Sequence, residues 1–505
     1  MMDKHLVPPP DEFNRVLVEN LHPLHWRNPT PRGRYNLVVV GAGVAGLVSA
    51  AGAAALGARV ALIEKHLMGG DCTNYGCVPS KALVRSARAA HATVKAPEFG
   101  INLASDGSVD FPRVMQRMRR LRAQISVIDS AARFTSLGVD VYFGDAKFIG
   151  KNKIEVANTM MSFSKAVIAS GSRPLVLPIP GLEETGFLTN ETVFSLEQQP
   201  KSLLVVGSGP IGCELAQTFR RFGSDVSILT DVNMLLPNDD PDAGLVLKKR
   251  FEDEGIRIVF GAKIIRAENG SDSKSLIFDR GQGEERVQAE EVLLAAGRRS
   301  NLDGLGLEFA GVTTENGHVR VDDYLQTDNP NIFAAGDICS RYKFTHAAEA
   351  MARIALQNAL FFGRQRVSEL VIPWCTYTEP EVAHVGMTFS EAKKRQSEIV
   401  TFTKELAETD RAILDGETDG FVRILSDKRS GRLLGVTIVG AHAGESIGEA
   451  VLALKQQLKV SELSGVIHPY PTQAEALKRA ADLQLRSRLS PRIRRMLERY
   501  FAFRR

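Results

Sequence analysis

Cysteine and tryptophan are scarce in this sequence, which has five cysteines and two tryptophans among 505 residues. A low and odd number of cysteines argues against a secreted scaffold held together by disulfides. A strong excess of one charge is also missing, because the net charge is only +4, and we expect no nucleic-acid partner. The opening stretch MMDKHLVPPPDEFNR lacks the apolar core of a signal peptide. We therefore expect a cytoplasmic protein.

An uninterrupted hydrophobic run is absent as well. The most apolar stretch, Leu37 to Ile63, has the length of a membrane span. Regularly spaced glycines and the turn-like LGARV interrupt it, so a globular unit is the better interpretation. The chain is too long for a single core, and we expect about three domains.

Residues 35–65 have the order apolar strand, glycine turn, small-residue helix, second strand. Gly41, Gly43 and Gly46 form G-x-G-x-x-G. The first glycine permits a tight turn, the second lets the backbone approach a pyrophosphate, and the third lets the helix pack on the strand. Glu64 ends the second strand, where a carboxylate can accept hydrogen bonds from a ribose. The pattern predicts a dinucleotide site.

The same pattern recurs in residues 202–231, with Gly207, Gly209 and Gly212 as the glycines. The two motifs begin 166 residues apart, which is too far for one βαβ unit. The spacing predicts two separate Rossmann domains, each with its own nucleotide.

The end of the second motif bears on which nucleotide binds there. The position that corresponds to Glu64 is Thr230, and an acid follows at Asp231. No arginine stands there to meet a 2′-phosphate. This favours NADH weakly over NADPH.

Cys72 and Cys77 lie five positions apart, just before VPSKALVRSARAA, a stretch typical of a helix. Exposed N–H groups and the macrodipole at a helix N-terminus stabilise a thiolate, as disulfide exchange requires. A zinc site would need further Cys or His ligands at suitable spacing, and a structural disulfide is unusual in a cytoplasmic chain. A redox pair is favoured over a structural bridge or a metal clip.

The segment GGDCTNYGCVPSK between two Rossmann motifs resembles the flavin-dependent pyridine nucleotide-disulfide oxidoreductases. This family includes dihydrolipoamide dehydrogenase, glutathione reductase and mercuric reductase. The resemblance extends over about residues 35–485. It implies an α/β fold with two Rossmann-like domains and an α+β dimerisation domain, FAD in the first site, NAD(P)H in the second, and a homodimer.

The resemblance also implies domain boundaries. The expected segments are an N-terminal extension (1–34), the first part of the FAD domain (35–185), the NAD(P) domain (186–298), the second part of the FAD domain (299–371), the dimerisation domain (372–485) and a basic tail (486–505).

The resemblance implies roles for the two cysteines and for two charged residues. Cys72 matches the interchange thiol that meets the substrate, and Cys77 matches the charge-transfer thiol beside the flavin. Lys81 matches the lysine near flavin N5, and Glu214 matches its carboxylate partner. A lysine there would stabilise negative charge on the reduced flavin.

Two further segments resemble FAD-binding parts of the family. ASGSRP resembles the crossover out of the FAD domain and contains Ser170, in place of a threonine, and Gly171. TDNPNIFAAGDICS matches the second FAD fingerprint, so Asp337 is expected to hold the ribityl chain.

The next stretch, FTHAAEAMARIALQNAL, is typical of a helix whose N-terminus, near Thr345 and His346, would face the flavin. His346 is equally well explained as a capping or packing histidine, since backbone N–H groups suffice to stabilise charge there.

The C-terminal segment GVIHPYPTQAEALKRAA resembles the part of the family that reaches into the partner subunit's active site. Aligning Pro471 and Glu475 with the family's His-Pro and glutamate places Tyr470 where the acid/base histidine is expected. His468, two residues upstream, is the alternative. We favour the tyrosine, which mercuric reductase also has. A tyrosine with a pKa of about 10 is a poor base, so efficient reduction of lipoamide or glutathione is not expected.

The resemblance to mercuric reductase is incomplete, because the tail lacks that enzyme's C-terminal cysteine pair. Cys213, Cys339 and Cys375 are expected to be packing cysteines. Cys72 and Cys77 are therefore the expected transient ligands of Hg(II), and no structural metal site is expected.

The two ends of the chain carry separate expectations. Residues 1–34 are expected to be a partly ordered extension in which His22 and His25 lie at the surface. In the tail, Ser490-Pro491 predicts a helix start. A basic amphipathic helix follows, which suits an anionic membrane surface, a partner or its own dimer. Its apolar stripe consists of Ile493, Met496, Leu497, Tyr500 and Phe501.

The sequence thus predicts an FAD enzyme that passes electrons from NAD(P)H through Cys72 and Cys77 to a thiol-reactive acceptor, with reduction of Hg(II) as one possibility. Dihydrolipoamide dehydrogenase activity is the enzymatic alternative. The alternative of another class is a non-catalytic flavin-bearing protein that binds a membrane or a partner through its tail.

Overall fold

The computed structural model describes residues 7–102, 108–270, 272–361, 363–395 and 398–505. The chain divides into two compact units. The first comprises residues 1–207, 215–231 and 261–370, and the second comprises residues 208–214, 232–260 and 371–505. Residues 1–6 of the expected extension lie outside the described residues.

Seventeen α-helices occur in the described residues. They are α1 (Glu12–Leu21), α2 (Val44–Ala55), α3 (Gly70–Tyr75), α4 (Cys77–Lys95), α5 (Phe111–Ser126), α6 (Ala131–Ser136), α7 (Leu182–Thr185), α8 (Pro210–Phe222), α9 (Pro241–Asp253), α10 (Leu307–Ala310), α11 (Thr345–Leu360), α12 (Phe389–Lys394), α13 (Asp410–Asp415), α14 (Ala443–Lys455), α15 (Val460–Ser464), α16 (Glu475–Ser487) and α17 (Pro491–Phe503).

Twenty-three strands accompany them in the same described ranges. They are β1 (Tyr35–Val40), β2 (Val60–Glu64), β3 (Val139–Phe143), β4 (Ala146–Gly150), β5 (Lys153–Val156), β6 (Thr159–Ile168), β7 (Ser172–Pro174), β8 (Ser202–Val206), β9 (Asp225–Leu229), β10 (Arg257–Val259), β11 (Lys263–Asn269), β12 (Lys274–Asp279), β13 (Glu284–Ala289), β14 (Glu291–Leu294), β15 (Arg298–Ser300), β16 (Thr314–Glu315), β17 (His318–Val319), β18 (Ile332–Ala334), β19 (Trp374–Thr376), β20 (Glu381–Gly386), β21 (Ile399–Glu405), β22 (Phe421–Asp427) and β23 (Leu433–Gly440).

The main sheet of the first unit has the order β3-β2-β1-β6, all parallel, and β18 adds in parallel to β6. The central strands β1 and β2 are mostly apolar and buried, because both faces of the sheet are covered. Along β1, Leu37 and Val39 enter one core with α2 and α11, and Val38 and Val40 enter another core on the opposite face. Ligands of such sheets bind beyond the carboxyl ends of the strands.

A second parallel group in the first unit consists of β9, β8 and β14. Both glycine motifs therefore lie in the strand, helix, strand order that the sequence predicts, at β1-α2-β2 and at β8-α8-β9. The first unit also holds the antiparallel sheet β11-β12-β13 and the pairs β7-β15 and β16-β17.

The second unit is built on the antiparallel sheet β19-β20-β23-β22-β21. Helices α14 and α16 pack on it and bury small and branched side chains such as Ile447, Ala450, Leu477 and Ala480. This is the α+β architecture expected for a dimerisation domain.

In the described part of the N-terminal extension, residues 7–34, the chain forms a helix whose apolar side chains reach the core of the first unit. Asp11 caps α1 by accepting a hydrogen bond from the Asn14 N–H, and Leu17 and Leu21 are fully buried. The expectation that His22 lies at the surface is wrong, because the His22 ring is buried and stacks on Phe143 at 4.0 Å between centroids. Local sequence could not reveal this packing partner, since it lies in a distant strand.

The tail forms the expected helix. Ser490 caps α17 by accepting a hydrogen bond from the Ile493 N–H, and no residue of α17 is buried. Among the described residues, no helix combines the length and the apolar character needed to cross a bilayer.

Candidate functional site

The two thiols lie at the junction of α3 and α4. The chain enters α3 through Gly69 and Gly70, which both have positive φ and so turn the backbone sharply. Cys72 is half-buried in α3, and Cys77 is the exposed first residue of α4. Because α4 is 19 residues long, its N-terminus carries unsatisfied N–H groups and a positive partial charge. The predicted placement of Cys77 is confirmed.

The hydrogen bond between the two cysteines affects the acidity of Cys72. The pKa of Cys72 is raised, first by its hydrogen bond with Cys77 and then by burial. Cys77 contacts Thr345, with 3.5 Å between Sγ and Oγ1. The interaction with Cys77 therefore favours the protonated form of Cys72.

The N-terminus of α11 lies beside Cys77, as the Thr345 contact shows. His346 follows in the first turn, is exposed, and stacks on Phe344 at 5.5 Å between ring centroids. The predicted helix is confirmed. The ring stacking accounts for His346 as a packing residue at the start of the helix.

A polar network connects the redox helix α3 to the second FAD fingerprint. Asn190 donates to the Asp71 carboxylate (2.9 Å) and to the Tyr75 carbonyl (3.1 Å). Arg298 lies 3.3 Å from the same carboxylate and donates to Ser172, whose hydroxyl donates to Asp337. Sequence reasoning missed the Asn190 and Arg298 contacts, because these residues lie outside every motif and more than 100 positions from Asp71.

The three glycines of the first turn differ in what a side chain at each position would meet. A Cβ at Gly41 would collide with the Ala169 carbonyl, and a Cβ at Gly46 would collide with the Gly41 carbonyl. A Cβ at Gly43 would meet only the Gly70 Cα, at 3.7 Å. Protein packing therefore requires the first and third glycines, whereas the second is explained by the close approach of a pyrophosphate.

Glu64 lies at the carboxyl end of β2 beside that turn. Its carboxylate accepts hydrogen bonds from the Ala42 N–H (2.7 Å) and the His66 N–H (2.8 Å), and burial raises its pKa. Ser170 and Gly171 follow β6 at the same edge of the sheet, and Asp337 follows β18. The residues present fit an FAD molecule, with a ribose at Glu64, a diphosphate at Gly43 and a ribityl chain at Asp337.

The second glycine turn shows the same separation. A Cβ at Gly207 would lie 2.5 Å from the Ala295 carbonyl oxygen, whereas a Cβ at Gly209 would meet no atom within 4 Å. Gly212 lies in α8, as the fingerprint requires. Beyond β9, Thr230 is buried and Asp231 is exposed. The turn fits a nicotinamide dinucleotide.

Lys81 and Glu214 lie where their helices were expected. Lys81 is half-buried in α4, one turn after Cys77. Glu214 is buried in α8, and its carboxylate accepts a hydrogen bond from the Tyr377 N–H at 2.9 Å. The neighbouring Cys213 is fully buried, and burial raises its pKa, as expected for a packing cysteine.

In the second unit, the Tyr470 side chain points to solvent and is 66% exposed. Its hydroxyl donates to the Asp410 carboxylate at 2.7 Å, and Arg479 donates to the same oxygen at 3.2 Å. The hydrogen bond to Asp410 raises the pKa of Tyr470 and lowers that of Asp410. Tyr470 is therefore a proton or hydrogen-bond donor at neutral pH and not a base.

His468 faces a different environment from Tyr470. Only 7% of its side chain is exposed, and Nε2 lies 2.8 Å from the Glu449 carboxylate. Glu475, the first residue of α16, pairs with Arg479 at 3.1 Å. Of the two candidates for the acid/base position, Tyr470 is the one that a molecule outside this chain can reach.

Two patterns of one enzyme family match most of the chain. Residues 35–352 match the pattern of the pyridine nucleotide-disulphide oxidoreductases, and residues 372–481 match the dimerisation domain of the same group. The chain belongs to this family. FAD is accordingly its cofactor, NAD(P)H its electron donor, and the dimerisation domain supports a homodimer.

Several relatives cover most of the chain. A mercuric reductase of Lysinibacillus sphaericus is 34% identical over 448 residues, which are 88% of this chain and 82% of that protein. A dihydrolipoyl dehydrogenase of Bacillus subtilis is 32% identical over 468 residues, 88% of this chain and 97% of that protein. Among solved structures, the Cu(II) complex of the HOCl-induced flavoprotein disulfide reductase RclA from Escherichia coli matches with a TM-score of 0.80 and 27% identity, covering 90% of this chain and all of that one.

Proposed function

We propose that this family member passes electrons from NAD(P)H through the Cys72–Cys77 pair to a thiol-reactive acceptor, with a soft metal ion such as Hg(II) as the favoured class. The observation that carries the proposal is the pairing of a redox-type cysteine pair with an exposed tyrosine, Tyr470, where disulfide reductases of the family have a histidine.

The cysteine pair performs the exchange of electrons. FAD, when bound, accepts a hydride from NAD(P)H and delivers its two electrons to a disulfide. Breaking the Cys72–Cys77 bond leaves a thiol at Cys72 and, beside Thr345 and the N-terminus of α4, a thiolate at Cys77. Hg(II) then binds both sulfurs, which releases the Cys72 proton to solvent. Two electrons pass from the sulfurs to the metal, Hg(II) becomes Hg(0), and the disulfide forms again.

Tyr470 supports the choice of acceptor. A dithiol substrate must lose protons to a base, and Tyr470 cannot serve because Asp410 raises its pKa. A metal ion bound by two thiolates needs no such base. In the homodimer we expect Tyr470 to face the thiols of the partner subunit, where its hydroxyl can donate a hydrogen bond to them.

Anaerobic titration tests the electron path. We expect NADH, and more weakly NADPH, to reduce the yellow protein and to produce a long-wavelength charge-transfer band. The band should disappear in Cys77→Ser and persist in Cys213→Ser, a matched control at a packing cysteine. If neither nucleotide produced reduced protein, the proposal would fail.

Steady-state assays test the acceptor. We expect oxidation of NADH to be faster with Hg(II)–thiol complexes than with buffer alone, and slow with lipoamide. Cu(II) belongs in the same series, because the similar RclA structure is a Cu(II) complex. Lipoamide turnover equal to turnover with an artificial dye would favour dihydrolipoamide dehydrogenase activity, the function named for the Bacillus subtilis relative.

A further inference from the structure

Residues 7–28 of the N-terminal extension, called the N-terminal segment below, pack on the core of the first unit. This N-terminal segment precedes the family match, which begins at residue 35. Asn14 is 2% exposed, and Leu17 and Leu21 are completely buried. Trp26 donates to the Val141 carbonyl at 3.2 Å. Several side chains of the N-terminal segment are thus buried although they lie outside the family match.

The C-terminal end of α1 is hydrogen-bonded to the segment just before the redox helix α3. The Leu21 carbonyl accepts a hydrogen bond from the Met68 N–H at 3.1 Å. One residue later, His22 Nδ1 is hydrogen-bonded to the His66 carbonyl. These contacts fix the backbone that leads into Gly70, the first residue of α3.

The first turn of α1 is connected to the C-terminal end of α3 through a buried guanidinium. Arg122 donates to the Asn14 side-chain oxygen at 2.7 Å and to the Asn74 carbonyl at 2.7 Å. Arg122 is 1% exposed, and burial lowers its pKa to about 10. A buried charged donor requires its acceptors, so the position of the Asn74 carbonyl depends on Asn14.

We propose that the N-terminal segment is a brace for the redox helix, and that Asn14 and Arg122 are positioning residues for Cys72. Cys72 lies between the two points at which the brace contacts the chain, one before α3 and one at Asn74. The proposal rests on the proposed function only in taking Cys72 as the thiol that meets the acceptor. Without the Asn14 oxygen, Arg122 shifts to another acceptor and releases the Asn74 carbonyl. The sulfur of Cys72 then changes its distance to Cys77, and with it its reactivity.

Alkylation of Cys72 tests the brace without relying on turnover. The rate constant for iodoacetamide is measured by peptide mass spectrometry on the full-length protein after reduction with dithiothreitol, across a pH series. We expect Asn14→Ala to change the rate at least about threefold, because thiol reactivity follows the local environment. Asn14→Asp retains an oxygen for Arg122 and should return the rate toward the wild-type value.

Asn20→Ala is the matched control. Asn20 lies on the same helix and donates to Ser126 in α5 at 2.9 Å, away from α3. It should react like wild type. Wild-type rates in Asn14→Ala, or an equal change in Asn20→Ala, would overturn the proposal.

Hydrogen exchange on the wild-type protein keeps the proposal testable if Asn14→Ala does not fold. In low denaturant, amides of residues 12–21 and 70–76 should open as one cooperative unit. Independent opening would overturn the brace. If NAD(P)H failed to reduce the protein, the proposed function would be wrong. The alkylation and hydrogen-exchange experiments would still test the brace.

Discussion

At the scale of single residues, the glycine turns separate what the fold requires from what the ligand requires. A Cβ at Gly207 would collide with the Ala295 carbonyl, whereas a Cβ at Gly209 would meet open space. The two glycines are two positions apart in one turn, so each serves as a control for the other.

Alanine at Gly209 should impair binding of the nicotinamide nucleotide alone. We expect Gly209→Ala to raise the KM for NADH about tenfold, since a methyl group would stand where the diphosphate approaches. Its thermal midpoint should stay within about 2 °C of wild type. Gly207→Ala should unfold at a clearly lower temperature, because φ there is +110° and the methyl group meets backbone. A destabilised Gly209→Ala with an unchanged KM would contradict this assignment.

Histidine at position 470 should restore acid/base chemistry. Asp410 already accepts a hydrogen bond from this position and could orient an imidazole. We expect Tyr470→His to increase lipoamide turnover about tenfold, and Tyr470→Phe to leave it low. Steady-state kinetics at pH 8 measure both. Equal lipoamide turnover in the two variants would show that position 470 does not limit this reaction.

The residues that sequence reasoning found and missed differ in the range of their contacts. The glycine motifs, Glu64 and the placement of Cys77 at a helix start depend on neighbours within about one βαβ unit, and local patterns encode them. Arg122 meets Asn14 across 108 positions, and Tyr470 meets Asp410 across 60. No pattern in a single sequence predicts such pairs, because they arise only when the elements pack. His22 was misassigned for the same reason.

At the scale of elements, strand β20 carries a buried histidine that couples the second unit to pH. His384 is 1% exposed, with Nδ1 2.9 Å from the Thr437 hydroxyl. Burial lowers its pKa from the ordinary 6.5 to about 4. Because the folded state resists protonation, its contribution to stability is complete above pH 6.5 and is lost as pH falls toward 4.

Replacing this histidine should make the free energy of unfolding less dependent on pH below neutrality. Between pH 7 and pH 5, we expect wild type to lose about 2 kcal/mol more unfolding free energy than His384→Gln. Urea unfolding at several pH values measures the difference. His25→Gln, at an exposed histidine of the first unit, is the control. Parallel slopes for wild type and His384→Gln would refute the linkage.

At the scale of the whole molecule, the basic tail stands apart from the family match, which ends at residue 481. From Lys478 onward the chain carries a net charge of +8, which leaves about −4 for the rest. Helix α17 has no buried residue in the chain. Its apolar stripe is therefore available to another surface, either the second subunit or an anionic membrane.

Removal of residues 490–505 should leave the fold intact. We expect the thermal midpoint to shift by less than about 2 °C, because no buried contact is lost, and the truncated protein to remain a dimer in sedimentation velocity. Co-sedimentation with anionic vesicles then distinguishes an anionic membrane from the second subunit as the surface that the tail contacts. Equal sedimentation of the full-length and truncated proteins would exclude a membrane role for the tail.

The backbone of the first glycine turn contacts the backbone at the start of α3. The Gly69 N–H donates to the Ala42 carbonyl at 2.8 Å, and a Cβ at Gly70 would lie 2.6 Å from the Gly43 Cα. Through these contacts, the affinity for FAD and the state of the two thiols would influence each other. If opening the disulfide shifts α3, it changes the dissociation constant of FAD by the same factor by which FAD changes the equilibrium between disulfide and dithiol.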